Sequence, residues 1–339
     1  MGRRMVGCIG AAALVVSVAG LTAVPVAAQT RTVKPRTYSP PRTPWGDPDI
    51  AGAFTNNDES LIPFERPAQF EGRRLEDITP AELEQLRDQR SDQREEADRN
   101  RAEFRSPIHW FENFFPQNSR AWLVTDPPDG KVPPQTDEAR QRAAARAQAR
   151  AGRGPADSYE DRSLYDRCIS RGIAGSILPV IYNNGNEIVQ APGVVAIRNE
   201  MIHETRIVPL DGRPHPGPHI KMWMGDSRGH WDGDTLVVET KNIGSFAPGI
   251  GVNGGGTRHS NDITITERFT RIGADVILYE MHVDDPKTWT RPWTMQYPLK
   301  RDDNYGYFEY ACHEGNYSLF NILSGARADE KAAADAAIK

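Results

Sequence analysis

Three ionisable side chains in the C-terminal half of the chain are candidates for acid/base chemistry. Along each predicted strand, side-chain alternation places His203, Glu267 or His282 on the same face as apolar neighbours. Glu280 shares the face of His282. If these faces line one interior, burial and mutual contact move the pKa values of the groups towards neutrality. The pattern predicts a site in which His203 and His282 exchange protons and Glu267 orients them or acts as the base.

Two simpler interpretations stay open for these side chains. They can be buried polar groups whose hydrogen bonds are satisfied by tyrosine, arginine or backbone partners. Alternatively, the faces that carry them can point to solvent. In either case the three residues would form no site.

A second group of histidines suggests a metal site. His215 and His219 are four residues apart, with His203 upstream and His230 downstream. Neutral imidazoles are common ligands of Zn, Cu and Fe. However, His215 and His219 belong to a proline-rich loop, where this spacing does not place both rings on one face. We therefore predict no bound cofactor, with a metal held by these four histidines as the alternative.

Several aromatic residues and one arginine are candidates for binding a ligand. Aromatic side chains at a barrel mouth bind flat or apolar molecules, and a guanidinium can hold a carboxylate with two parallel hydrogen bonds. The alternative is that the aromatic residues are core and the arginine is in a structural ion pair. The candidate set is Arg213, Trp223, Trp289, Trp293 and Tyr310.

The segment Gly225–Gly229 fits the pattern G-x-S-x-G of a nucleophile elbow. That motif requires a strand before the serine and a helix after it. Here a turn and a further strand follow, so a β-turn is the favoured interpretation.

The elements that must position these residues are short strands separated by turns, from Ile177 to Cys312. The dipeptides Asn184-Gly185, Asp211-Gly212 and Asp232-Gly233 are typical of tight hairpins. Many short strands at even spacing indicate a mainly β fold. We expect an antiparallel β-barrel or half-open barrel of lipocalin-like character, with an N-terminal extended arm and peripheral helices.

Helix signals flank this β region. Thr79 and Glu82 form a capping box for a helix over 79–105, and Thr136 caps a second helix over 137–151. A third helix is predicted from about Tyr317. The expected organisation is a signal peptide (1–28), an extended arm with peripheral helices (29–160), the β-barrel domain (161–328) and a frayed tail (329–339).

The N-terminus has the features of a secretory signal. Arg3 and Arg4 precede an apolar stretch, and the small residues of Val26-Ala27-Ala28 predict cleavage before Gln29. The mature protein is therefore expected to be periplasmic or secreted, without a stable membrane anchor. Cleavage removes two arginines and no acid, which changes the formal net charge from −5 to −7. This charge argues against nucleic acid and anionic lipid as partners.

Cys168 and Cys312 are the cysteines that remain after cleavage. In an oxidising compartment, an isolated pair is most simply a disulfide. A free thiol pair, or a thiolate near His313, is the alternative.

Several segments resemble those of a large family of secreted bacterial proteins. The resemblance covers roughly residues 43–328, implies a shared framework and implies no particular reaction. The resemblance covers both cysteines, and Cys312 falls in one of the matching segments, which supports their pairing. The segments are LVTDPPDG from Leu123, RIVPLDGRPH from Arg206, MGDSRGHW from Met224, TWTRPW from Thr288 and EYACHEGNY from Glu309.

Three functions fit these observations, all with a small molecule as partner. The first is a cofactor-independent acid/base enzyme, a lyase, isomerase or hydrolase, acting on a small apolar or aromatic molecule. The second is a non-catalytic binding or carrier protein for a small hydrophobic ligand. The third is a metal-dependent hydrolase or oxidase that uses the histidine cluster.

Overall fold

The computed structural model describes residues 38–100, 117–180 and 185–338. The predicted signal peptide, residues 1–28, lies outside these ranges. In the described part, the helices are α1 (Pro80–Asn100), α2 (Asp137–Ala149), α3 (Gly172–Ile177) and α4 (Tyr317–Ala337). None of the helices in these ranges is long and apolar enough to cross a membrane.

The strands form one sheet that curls into a nearly closed antiparallel barrel, which confirms the predicted fold class. Nine strands follow each other in the order β5-β4-β3-β1-β10-β9-β8-β7-β6, and β2 pairs with β10 beside this path. The strands are β1 (Gly52–Thr55), β2 (Val124–Asp126), β3 (Gly185–Ala191), β4 (Val194–Asn199), β5 (Thr205–Pro209), β6 (Asp226–Asp232), β7 (Thr235–Lys241), β8 (Thr264–Arg271), β9 (Val276–Asp284) and β10 (Trp293–Arg301).

The division between arm and barrel differs from the expected one. β1 and β2 come from the stretch 29–160, which was expected to be an arm and helices, yet β1 lies between β3 and β10. These strands are three or four residues long, too short to show alternation, and their neighbours hold them in place. At the other end, α4 continues to Ala337 through most of the tail that was expected to be frayed.

The helix caps form as the sequence predicts. The Thr136 hydroxyl accepts the backbone N–H of Ala139 at 3.1 Å, and α2 begins at the next residue. Thr79 and Glu82 exchange side-chain to backbone hydrogen bonds at the start of α1.

A short helix that the sequence did not predict, α3, lies just before the strand region expected from Ile177 and packs in the barrel core. The residues before Leu178 form α3, and most of them are buried in the same core as the strands. The Tyr297 hydroxyl donates to the Ile177 carbonyl at 2.6 Å. A side chain at Gly175 would overlap the backbone of Gly254. The helix is therefore held by close backbone packing that only glycine permits.

Side chains rather than a backbone ladder close the barrel between β5 and β6. Cβ at Gly229 of β6 would lie 2.8 Å from Val208 and 2.6 Å from Leu210, so these two side chains occupy the space that the glycine leaves. Inside the barrel, Arg206 of β5 forms an ion pair with Glu267 of β8. The gap between β5 and β6, where no backbone ladder forms, is the seam of the barrel. The Arg206–Glu267 pair links β5, on one side of this seam, to β8 across the interior.

Cys168 and Cys312 lie at disulfide-bonding distance, with their Cα atoms 5.7 Å apart. Cys168 precedes α3, and Cys312 lies in the segment that leads to α4. The Asn316 side chain caps α4 by accepting the N–H of Leu319, and it donates to the Asp166 carbonyl at 2.9 Å. The cysteine pair therefore joins the segment before α3 to the segment before α4.

Candidate functional site

Glu267 faces the barrel interior, as predicted, but it is engaged in an ion pair. Its carboxylate is fully buried and accepts two hydrogen bonds from the Arg206 guanidinium, one of them at 2.8 Å. The Tyr279 hydroxyl donates to the same carboxylate at 2.9 Å. Burial lowers the pKa of Arg206, but the charge and hydrogen bonds of Glu267 outweigh burial and raise it. Burial first, and then the Glu267 charge, raises the pKa of Tyr279 well above its usual range.

His282 lies on the opposite face of the sheet from Glu267, so the predicted convergence is wrong for this residue. Glu267 pairs with Met281 across the ladder, whereas His282 pairs with Thr266. The inward residues of β9 include Tyr279 and Met281, and His282 alternates outward with Glu280. The His282 Nδ1 atom lies 2.9 Å from the Thr294 hydroxyl. The error has a simple cause, because β9 carries aliphatic residues on both faces.

His203 ends a short 3-10 turn over Met201–His203, and β5 begins only at Thr205. The strand expected over Met201–Val208 therefore starts later, and its alternation does not extend to His203. With His282 on the outer face, the structure does not assemble the predicted acid/base group.

Among the side chains that the structure describes, His215, His219 and His230 do not form a metal-binding cluster. His215 Nδ1 lies 2.6 Å from an Asp226 oxygen, and its Nε2 lies 3.1 Å from a Glu239 oxygen. Both ring nitrogens are therefore engaged, while His219 and His230 are exposed. Within the described ranges, no group of three or more His, Cys, Asp or Glu side chains is arranged to hold a metal ion.

Ser227 of the G-x-S-x-G segment is also unsuited to catalysis. All of the segment except Gly225 belongs to β6, so the favoured β-turn interpretation is wrong, and Ser227 is a buried strand residue. Its hydroxyl hydrogen-bonds to the Thr240 hydroxyl at 2.8 Å.

Three of the candidate ligand-binding residues contact different partners and do not line one cleft with the others. The Arg213 guanidinium pairs with its neighbour Asp211 on the surface. Trp223 packs edge-to-face on Phe246, with ring centroids 4.6 Å apart. The Tyr310 hydroxyl lies 3.4 Å from that of Tyr165.

Trp289 and Trp293 come together at a surface cleft of about 620 Å³. Their ring centroids are 5.6 Å apart in an edge-to-face arrangement, and Phe64 meets Trp293 in the same geometry at 5.6 Å. Trp289 and Trp293 are 2% and 1% exposed, so they form a fixed floor. The lining residues are Phe64, Glu65, Val132, Pro133, Pro134, Gln135, Ile250, Gly251, Val252, Gly256, Thr257, Trp289 and Trp293.

Among the polar side chains of the cleft, Gln135 and Glu65 are paired within the protein, whereas the buried Trp293 indole N–H has no hydrogen-bond partner in the described ranges. The Gln135 amide donates to the Thr257 hydroxyl at 3.3 Å and so bridges two walls. Glu65 accepts the backbone N–H of Val132 at 2.9 Å and lies 3.6 Å from the Lys131 ammonium. What the cleft offers to a ligand is therefore mostly apolar surface.

Sequence reasoning identified the two tryptophans of this cleft but not its walls. One wall is the glycine-rich stretch Ile250–Thr257, and another is Val132–Gln135 with its two prolines. The run of three glycines and the proline pair are signals of irregular loops. They do not indicate that the two loops meet, because this depends on the tertiary fold.

A scan against protein-family models and a search of the curated proteins found no match for this chain.

Proposed function

We propose that the protein binds a small, uncharged, flat or apolar molecule in the Trp289–Trp293 cleft, as a non-catalytic binding or carrier protein. The cleft volume, about 620 Å³, falls within the range of roughly 300–1,000 Å³ that is usual for small-molecule sites. Two indole rings packed edge-to-face and an apolar lining favour a ligand with an aromatic or aliphatic body.

The observation that carries this proposal is that Glu65 is the one ionisable side chain among the residues that line the cleft. Acid/base catalysis needs a titratable group that is within hydrogen-bonding reach of a substrate and free to exchange a proton with it. Glu65 is bonded to its own neighbours, and Glu267 and His282 do not line the cleft. Binding without turnover is the function that this chemistry favours.

We place this activity in the periplasm or outside the cell. The support is the Cys168–Cys312 pair at disulfide-bonding distance, because such bonds persist in oxidising compartments. The signal-like N-terminus points to the same compartment.

The test replaces Val252, which lines the cleft and is 45% exposed, with arginine. Coumarin serves as an uncharged, flat probe, and calorimetry or NMR measures its affinity for the mature chain. Small ligands gain roughly −0.3 to −1.5 kcal/mol per non-hydrogen atom, so we expect a dissociation constant on the order of millimolar or lower. Val252→Arg should weaken binding by about 10-fold or more, because the long charged side chain enters the cleft.

Val189→Arg is the matched control, because Val189 is 51% exposed on β3 and does not line the cleft. Its coumarin affinity should equal that of the unmodified protein. Equal affinity in Val252→Arg, or absence of binding by the unmodified protein to coumarin and to a panel of similar neutral aromatics, would refute the proposal.

A further inference from the structure

The Trp293 side chain carries a buried hydrogen-bond donor for which the described part of the chain supplies no acceptor. Trp293 is 1% exposed, and its indole N–H has no hydrogen-bond partner within the described ranges. The two rings that pack edge-to-face with it, Phe64 and Trp289, carry no lone pair that could accept the proton. A buried donor of this kind loses the hydrogen bonds that water gives it in the unfolded chain, so leaving it unpaired is costly.

The position of this donor links it to the cleft. Other buried polar atoms of the described ranges, such as Nε1 of Trp231, also have no partner. Of the residues that carry such an atom, Trp293 is the one that lines the cleft. It begins β10 and pairs with Val283 of β9, so the barrel fixes its backbone. A molecule that enters the cleft is therefore well placed to supply the acceptor.

We propose that the Trp293 indole N–H selects flat ligands that carry a neutral carbonyl oxygen at the edge of a ring. This inference rests on the proposed binding function and narrows its ligand class. An indole N–H donates and does not accept, so it favours a ligand with a hydrogen-bond acceptor over the same ligand without one. Because the donor is buried in the free protein, binding includes a small side-chain movement at the floor of the cleft, as is common on binding.

The charge of the cleft favours a neutral acceptor over a carboxylate. Glu65 is the ionisable residue among the cleft residues, and its carboxylate repels an anionic ligand. Lys131, which lies 3.6 Å from that carboxylate, does not line the cleft. The formal net charge of the chain, −5, acts in the same direction. Lactones, quinones and aryl ketones combine a flat body with an uncharged carbonyl oxygen and are the ligand classes that fit.

The experiment compares coumarin with 2H-chromene, which has the same fused rings but a methylene group in place of the lactone carbonyl. Calorimetry measures both affinities for the mature chain, for Trp293→Phe and for the matched control Trp289→Phe. Trp293→Phe should weaken coumarin binding by about 10-fold more than 2H-chromene binding, because both probes lose the same packing but only coumarin loses a hydrogen bond. Trp289→Phe should weaken the binding of both probes to the same extent.

The unmodified protein gives a second readout that needs no variant. In nitrogen-labelled protein, coumarin should move the Trp293 indole proton signal downfield, as a new hydrogen bond does, and 2H-chromene should not. The inference is wrong if both probes shift this signal equally, or if the two variants change the ratio of the coumarin and 2H-chromene affinities equally. Saturable binding of both probes would then leave the proposed binding function intact. If neither probe binds, the inference and the proposed function both fail.

Discussion

Glu267→Gln should lower the free energy of unfolding by about 3–5 kcal/mol, because it leaves the Arg206 guanidinium buried without a counter-charge. The two side chains are 0% and 4% exposed, so water does not replace the lost partner. The pair also joins β5 to β8 where no backbone ladder connects β5 to β6. Urea denaturation at neutral pH, followed by circular dichroism, measures the change.

A paired replacement separates charge burial from packing. In Arg206→Met with Glu267→Leu, no buried charge is left alone, and such exchanges are often neutral or stabilising. We expect the double variant to recover most of the stability that Glu267→Gln loses. A Glu267→Gln protein that is as stable as the original would show that the ion pair does not hold the seam.

Replacing both Cys168 and Cys312 with alanine should produce the second large effect, a loss of up to about 5 kcal/mol in the free energy of unfolding. The two cysteines are 144 residues apart, so the bond restricts a long loop in the unfolded chain. Chemical denaturation of the oxidised mature protein and of the double variant measures the difference.

Reducing agent provides the matched control for this prediction. With the thiols reduced, the original protein and the double variant should unfold at similar denaturant concentrations. A stability difference that persists under reduction would assign the effect to packing of the thiols. An oxidised mass equal to the reduced mass, instead of about 2 Da lower, would show that the bond does not form.

Local signals predicted much of this fold. The Thr136 cap and the Thr79 capping box fixed the starts of α2 and α1 to within a residue, because capping depends on neighbours in sequence. The Asp232-Gly233 dipeptide marks the turn between β6 and β7, where Gly233 has a φ of 59°. Alternation along β8 correctly placed Glu267 inside.

The errors occurred where a decision depended on tertiary contacts. β9 reads Val-Ile-Leu-Tyr before Glu280, with apolar residues on both faces, so periodicity alone did not show which face is inward. In the structure, the inward face of β9 is the one that carries Tyr279 and Met281, which pack in the core. Because the wrong face was chosen, His282 was assigned to an interior that it does not reach.

The candidate site was harder to predict than the barrel. Its floor and walls come from segments near Phe64, Val132, Gly251 and Trp289, which are distant in sequence. The many aromatic residues of the sequence indicated that some tryptophans could bind a ligand, but not which ones. Trp289 and Trp293 differ from Trp223 in lying where two loops leave open space, and this depends on the folded chain.

The most direct test of the binding proposal is a coumarin titration followed at the tryptophan indole N–H signals of nitrogen-labelled protein. The chain has seven tryptophans, so the signals can be assigned by single Trp→Phe variants. Binding in the cleft predicts saturable shifts of the Trp289 and Trp293 signals, with Trp223 unchanged. Shifts confined to other tryptophans, or no saturable shift for any of them, would contradict it.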